Sequence, residues 1–171
     1  MERRLLVKNE AADVEADLEF CSRQGLMLAN EHRYSEAIAY YDRAIKLRSD
    51  NFSAWYGRGD ALANLGRYRD ALMSFDQAIA IDANQHEAWT FRAVVLIHME
   101  RYQEALANCE RALELRPDDC EALTFRGVAF YYLGQYKRAY VSYSRATRRM
   151  VKPQKPLALL TRLVRVFHHP Q

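Results

Sequence analysis

Tyrosine recurs at a constant spacing in this chain, in steps of 34 residues at Tyr34, Tyr68, Tyr102 and Tyr136. A fixed period of this length is typical of a solenoid of stacked units, each too small to bury its own apolar face. Chains of this kind usually offer a long surface to another molecule rather than a catalytic pocket. The spacing therefore favours a repeat protein with a binding role.

Four aligned blocks show which positions the repeat keeps. They cover residues 18–51, 52–85, 86–119 and 120–153, and a polar leader of residues 1–17 precedes them. Positions 8 and 20 of each block hold small residues, and apolar residues at positions 4, 8 and 11 share one helix face. Each block is therefore predicted to fold as two antiparallel helices. Polar turns near Gly66 and Gly134 separate them, with glycine supplying a left-handed cap.

These features resemble the tetratricopeptide repeat family over roughly residues 18–153. The resemblance rests on the period and on the small residue at position 20, which is alanine in all four blocks: Ala37, Ala71, Ala105 and Ala139. It implies an all-α, right-handed solenoid of four helix-turn-helix units. Two departures are local: Cys21 stands where the family usually has tryptophan, and Cys109 replaces an aromatic residue.

An arginine stands at position 7 of three blocks, where the family usually has leucine. Each of these arginines follows an acidic residue of the preceding block by 16 residues. This spacing predicts ion pairs between repeats, with the alternative that the arginines meet only water or backbone carbonyls. The predicted pairs are Asp42–Arg58, Asp76–Arg92 and Glu110–Arg126.

The repeat register continues into residues 154–171. Apolar residues at helical spacing predict a C-terminal capping helix that begins near Pro156 and ends at Pro170. Its surplus apolar residues would pack on the fourth block, self-associate or lie on a membrane. Self-association predicts a concentration-dependent mass that Phe167→Asp abolishes.

In proteins of this family, the first helices of successive repeats line a concave groove that holds peptides. The resemblance places Glu19, Ser22, Leu26, Ala29 and Asn30 in the groove of the first block. The groove residues expected to bind a partner are Tyr56, Asp60, Asn64, Thr90, Val94, His98, Thr124, Val128, Tyr131, Tyr132, Arg162 and Arg165.

The C-terminal half of this groove is aromatic, then basic. Val128, Tyr131 and Tyr132 are expected to hold an apolar side chain, and Arg162 and Arg165 a carboxylate. The alternative is that the groove is only the solvated inner face of a scaffold.

The family's carboxylate clamp, which grips a chain terminus with Lys, Asn and Arg side chains, is absent. Its positions hold Tyr56, Asp60, Phe91, Glu121 and Phe125 in the frame that starts at the second block, and the frame that starts at the first block does not restore it.

Charge is distributed unevenly along the chain. Residues 1–121 carry a net charge of −7, whereas residues 122–171 contain 10 basic and no acidic residues. Such asymmetry indicates an acidic protein, an anionic membrane surface or nucleic acid as partner, or simply a solvated basic flank.

No pattern of residues predicts catalysis or a cofactor. The three cysteines have no metal-binding spacing, and the five histidines are scattered. Without a secretory signal or a membrane-length apolar stretch, the sequence favours a reducing, cytoplasmic location.

We therefore expect a non-enzymatic adaptor or scaffold with no metal or cofactor, which binds a segment of an acidic, partly apolar protein. The alternative is a peripheral membrane-associated assembly factor attached through the basic C-terminal end. A third hypothesis is RNA binding, with Tyr131 and Tyr132 stacking on bases.

Overall fold

The structure is a computed structural model that describes the backbone of residues 2–150 and the side chains of residues 13–148. The predicted capping helix, Phe167, Arg162 and Arg165 lie outside the described residues. Within the described part there are eight helices: α1 (Glu2–Asn30), α2 (Tyr34–Leu47), α3 (Phe52–Asn64), α4 (Tyr68–Ile81), α5 (His86–His98), α6 (Tyr102–Leu115), α7 (Cys120–Tyr132) and α8 (Tyr136–Met150).

The helix boundaries follow the 34-residue period of the sequence. Each of the recurring tyrosines is the first residue of the second helix of its repeat. The leader is helical and continuous with α1, so the first helix is longer than its counterparts. An ion pair between Glu15 of α1 and Arg48, which follows α2, fastens this extension to the first repeat.

The turn inside each repeat has one residue with left-handed backbone geometry. Gly66 and Gly134 have φ angles of 73° and 74°, as the sequence predicted. The amide of Arg67 donates to the carbonyl of Leu62 and that of Gly66 to Ala63, which satisfies the last carbonyls of α3. His32 and Glu100 adopt the same geometry at φ angles of 61° and 58°, although they have side chains.

Helices adjacent in sequence pack as antiparallel neighbours, which confirms the predicted all-α solenoid. In addition, α1 contacts α3, α3 contacts α5, and α5 contacts α7. Among the described residues, no even-numbered helix contacts the next even-numbered helix. The stack therefore curves with the odd-numbered helices on its concave side.

Close contact between the two helices of a repeat depends on a matched pair of residues. A Cβ placed on Gly25 would lie 2.7 Å from the ring of Tyr41, and one on Gly127 would lie 2.6 Å from the ring of Tyr143. In the third repeat the same two positions hold Ala93 and Cys109, both fully buried. The smaller cysteine leaves room for the alanine methyl group, so the departure at Cys109 preserves the packing.

None of the described helices is both long enough and apolar enough to span a membrane.

Candidate functional site

The concave face contains a cleft between the first helices of repeats 1 and 2. Its volume is about 490 Å³. The groove residues expected in the first block all line it, together with Tyr56, Asp60 and Asn64 of the second. Sequence reasoning missed part of its wall, which Tyr34, Tyr41, Phe52 and Gly57 complete.

Aromatic rings form much of this cleft. Tyr56 stacks on Phe52 at a centroid distance of 5.9 Å and meets Phe91 edge to face at 5.8 Å. Tyr41 reaches the cleft from α2 because Gly57 has no side chain: a Cβ there would lie 2.7 Å from the Tyr41 hydroxyl. Burial, and secondarily the Asp60 charge, raises the pKa of Tyr41 to about 12, so its hydroxyl stays neutral.

Asp60 of α3 supplies a carboxylate to the cleft. Its side chain accepts a long hydrogen bond from Asn64 Nδ2 at 3.4 Å, while the same nitrogen donates at 2.9 Å to the Asp60 carbonyl. Burial raises the pKa of Asp60, and the Asn64 bond offsets this only in part. Within residues 13–148, no basic side chain forms an ion pair with Asp60.

Two more carboxylates, Glu87 and Glu121, lie close enough to act on Tyr56. Burial is the main cause that raises the pKa of Tyr56, and the charges of Asp60, Glu87 and Glu121 raise it further. Burial likewise raises the pKa of Glu121. The groove of repeats 2 to 4 is therefore negatively charged over its described part.

Ring stacking connects successive repeats along the groove edge. Tyr68 of repeat 2 stacks on His98 of repeat 3 at 5.0 Å, and Tyr102 of repeat 3 stacks on Tyr132 of repeat 4 at 4.7 Å. Each of these tyrosines thus anchors the end of the next repeat's first helix.

Exposed aromatic side chains concentrate at the C-terminal end of the groove. Tyr131 is 54% exposed and Tyr132 is 47% exposed. Tyr131 contacts both Tyr132 and Tyr136 edge to face, at 5.7 Å and 5.4 Å. These three tyrosines form an exposed aromatic surface that also carries hydroxyl groups.

Three of the expected contact residues are buried in the described structure and offer little surface to a partner. Thr90 is 1% exposed, and its hydroxyl oxygen lies 3.1 Å from the His86 carbonyl and 3.2 Å from an Asp119 carboxylate oxygen, within hydrogen-bond distance of both. The Thr124 hydroxyl donates to the Cys120 carbonyl, and Val128 packs within the core at 5% exposure. Val94 and His98 are partly buried.

Two of the three predicted inter-repeat ion pairs are present. Arg58 Nε donates to Asp42 Oδ1 and Arg92 Nε to Asp76 Oδ1, both at 2.7 Å. These pairs lie between α2 and α3 and between α4 and α5, away from the cleft residues.

The third predicted pair does not form between the described side chains of Glu110 and Arg126. Arg126 Nε donates instead to Ser142 Oγ at 3.2 Å. The acid in this repeat is glutamate rather than aspartate, and it remains exposed.

Each of these arginines donates to a residue that the sequence reasoning missed. Arg58 donates to Ser74 and Arg92 to Asn108, each 16 residues later in the chain, as Ser142 is from Arg126. The repeat alignment contained a signal for these contacts, because Ser74, Asn108 and Ser142 occupy the same position of their blocks. The first block, which lacks the arginine, has Tyr40 at this position instead of a small polar residue.

Other chemically active groups do not assemble into a reactive centre in the described part of the chain. Burial raises the pKa of the Cys109 thiol to about 12, which keeps it protonated. No group of three His, Cys, Asp or Glu side chains among the described residues is placed to hold a metal. His86, at the start of α5, bonds at 2.9 Å to Asp119, the residue that caps the start of α7.

Solved structures with the same fold include two MamA proteins. A crystal structure of MamA has a TM-score of 0.72 and 19% identity, covering 86% of this chain and 84% of that one. A MamA protein from Desulfovibrio magneticus RS-1 has a TM-score of 0.73 and 21% identity, covering 80% and 78%. At these identities the likeness concerns the fold alone.

A third similar structure is the first tetratricopeptide domain of Spaghetti (RPAP3), bound to the HSP90 peptide SRMEEVD. It has a TM-score of 0.68 and 22% identity, covering 70% of this chain and 94% of that one.

A search of the curated proteins found no match. Tetratricopeptide repeat models match residues 23–88 and 86–119. With the period, helix pairs and stacked tyrosines described above, these matches show that the chain belongs to the tetratricopeptide repeat family.

Proposed function

We propose that this protein is a non-enzymatic adaptor that binds an extended segment of a partner protein along its concave groove. The observation that carries the proposal is the groove itself, which combines a cleft of about 490 Å³ in repeats 1 and 2 with exposed tyrosines in repeat 4. Exposed aromatic side chains beside a concave surface are typical of protein interaction sites. A cytoplasmic location stays a prediction.

The C-terminal end of the groove suits the acidic, partly apolar partner predicted from the sequence. Tyr131 and Tyr132 would contact apolar side chains of the partner. Its carboxylates would bind Arg162 and Arg165, in the part of the chain where residues 122–171 carry ten basic and no acidic side chains. The acidic character of the partner and the roles of Arg162 and Arg165 are part of the proposal.

The peptide seen in the RPAP3 structure is not the expected partner of repeats 2 to 4. That HSP90 peptide, SRMEEVD, is rich in carboxylates. Asp60 and Glu121 occupy positions of the family's carboxylate clamp in this chain, and both carboxylates have pKa values raised by burial. An acidic chain terminus placed beside them would meet like charges without a compensating cation.

Affinity capture from an extract of the source cells tests the adaptor function. The inner variant combines Leu26→Ser with Tyr131→Ser, and a matched outer variant combines Met73→Ser with Val141→Ser. All four side chains are large, apolar and more than half exposed, so neither pair of substitutions should disturb the core. We expect the inner variant to lose a specific protein that the wild type and the outer variant retain.

Equal retention of every captured protein by the inner variant would contradict a groove function. Loss from the outer variant alone would move the binding surface to the convex side. Circular dichroism of both variants checks that the helices remain intact.

A further inference from the structure

The cleft between repeats 1 and 2 contains a carboxylate without a cationic partner. Asp60 accepts only the 3.4 Å hydrogen bond from Asn64, and no ion pair reaches it from the described side chains. The basic side chain that lines the cleft, Arg23, is already paired with Glu19 at 2.5 Å. The cleft can therefore accept a cation from outside.

Aromatic residues line the same cleft as this carboxylate. Tyr34, Phe52 and Tyr56 contribute to its wall together with Asp60. A ring face beside a carboxylate attracts a cation by its quadrupole as well as by charge. Glu87 and Glu121 extend the negative potential along the groove toward repeats 3 and 4.

The position of Asp60 has a cost that a purely structural role would not explain. Burial disfavours its charged form, and Asn64 supplies only partial compensation. Polar groups kept in such surroundings inside a cleft are candidates for binding, because a ligand can supply the missing interaction.

We propose that this cleft binds an arginine side chain of the partner segment, with the guanidinium held by Asp60 beside the aromatic wall of the cleft. The inference rests on the proposed function and names the chemistry of one of its contacts. Arginine fits better than lysine because its planar guanidinium can stack on a ring while donating two hydrogen bonds to a carboxylate.

Nuclear magnetic resonance titration of the ¹⁵N-labelled full chain tests this contact. The probes are three blocked peptides of sequence Ala-Ala-X-Ala-Ala, in which X is arginine, citrulline or glutamate. Citrulline has nearly the shape of arginine but no charge. We expect the arginine peptide to shift the amide signals of Gly57, Asp60 and Asn64, and to bind about tenfold or more tightly than the citrulline peptide.

Two variants test whether the Asp60 carboxylate is the group that binds the arginine peptide. Asp60→Asn should weaken binding of the arginine peptide about tenfold. Asp17→Asn makes the same change at an exposed site on α1 that does not line the cleft, and should leave binding unchanged. The amide spectrum of Asp60→Asn reports whether the fold is intact, and Asp60→Glu should restore part of the binding.

Several results would overturn the inference: equal binding of the citrulline or glutamate peptide, unchanged binding by Asp60→Asn, or no shift with any peptide. The capture experiment judges the proposed function separately. If the inner variant loses a partner protein that Asp60→Asn still captures, the adaptor function stands and the arginine site is contradicted.

Discussion

At the scale of single residues, packing between the two helices of a repeat depends on pairs rather than on individual positions. Gly25, Gly59 and Gly127 each face a large ring, whereas Ala93 faces Cys109. A glycine in a helix interior costs about 1 kcal/mol relative to alanine. The chain accepts this cost only where the ring of the partner helix leaves no space for a methyl group.

Gly127→Ala should lower the free energy of unfolding by about 1–3 kcal/mol, because the added methyl group would overlap the Tyr143 ring. Urea denaturation of the variant measures this loss. In a Tyr143→Cys background, which copies the third repeat, the same change should cost less or become stabilising. An equal cost in both backgrounds would show that the ring is not the cause.

Asp60 is the residue whose ionisation should oppose folding. Its folded pKa is raised by burial, so its contribution to stability is fully present below the unfolded pKa and is lost as pH rises through the folded pKa. Asp60→Asn should therefore stabilise the protein at pH about 7 and have little effect at pH about 3, below the unfolded value. Denaturation at both pH values checks this, and a loss of stability at neutral pH would contradict it.

At the scale of elements, each repeat needs one left-handed residue to end its first helix. Two repeats use glycine, and two use residues that carry a Cβ, His32 and Glu100. The left-handed conformation costs such a residue about 1–2 kcal/mol, partly offset because glycine loses more backbone entropy on folding. The turns of repeats 1 and 3 therefore contain strain that those of repeats 2 and 4 avoid.

Glu100→Gly should raise the free energy of unfolding by up to about 1 kcal/mol, because it removes this strain. Gly66→Ala is the converse change and should lower stability by about 1 kcal/mol. Nothing lies within 4 Å of a Cβ at Gly66, so its effect would come from the backbone alone. Thermal unfolding of both variants measures the two effects, and a destabilising Glu100→Gly would refute the explanation.

At the scale of the whole molecule, stability depends on the interfaces between neighbouring repeats. Arg58 joins two repeats because it donates to Asp42 of the first and to Ser74 of the second, both at 2.7 Å. Arg92 makes the equivalent connection between repeats 2 and 3. Since each repeat contacts mainly its neighbours, loss of one connection should act locally before it affects the whole array.

Arg58→Lys should cost about 1–2 kcal/mol, because one ammonium group cannot replace the two directional hydrogen bonds of the guanidinium. Hydrogen exchange should show the loss of protection in α1 and α2 more than in α5 and α6. Arg69→Lys, at an exposed position of α4, is the matched control and should change little. A uniform loss of protection across all repeats would contradict local coupling.

Much of the fold followed from the period, whereas the site followed only in part. The repeat register alone predicted the Asp42–Arg58 and Asp76–Arg92 pairs. Because the repeats stack in the same way, residues 16 apart in sequence come into contact at each of these two interfaces. The register failed at Arg126, which forms no ion pair with Glu110 among the described side chains and donates to Ser142 instead. The burial of Val128 was also missed, since a shared register position does not determine how closely neighbouring helices cover it.

The sequence by itself determined the helix pairs, their boundaries and their stacking order, because a 34-residue period forces equivalent residues onto equivalent faces. Only the tertiary structure decided which groove side chains are exposed and that Asp60 forms no ion pair with the described side chains. Those properties depend on contacts between helices that the repeat register does not specify. The cleft, for example, brings Tyr41 of α2 to Asp60 of α3 only because Gly57 leaves space for the ring.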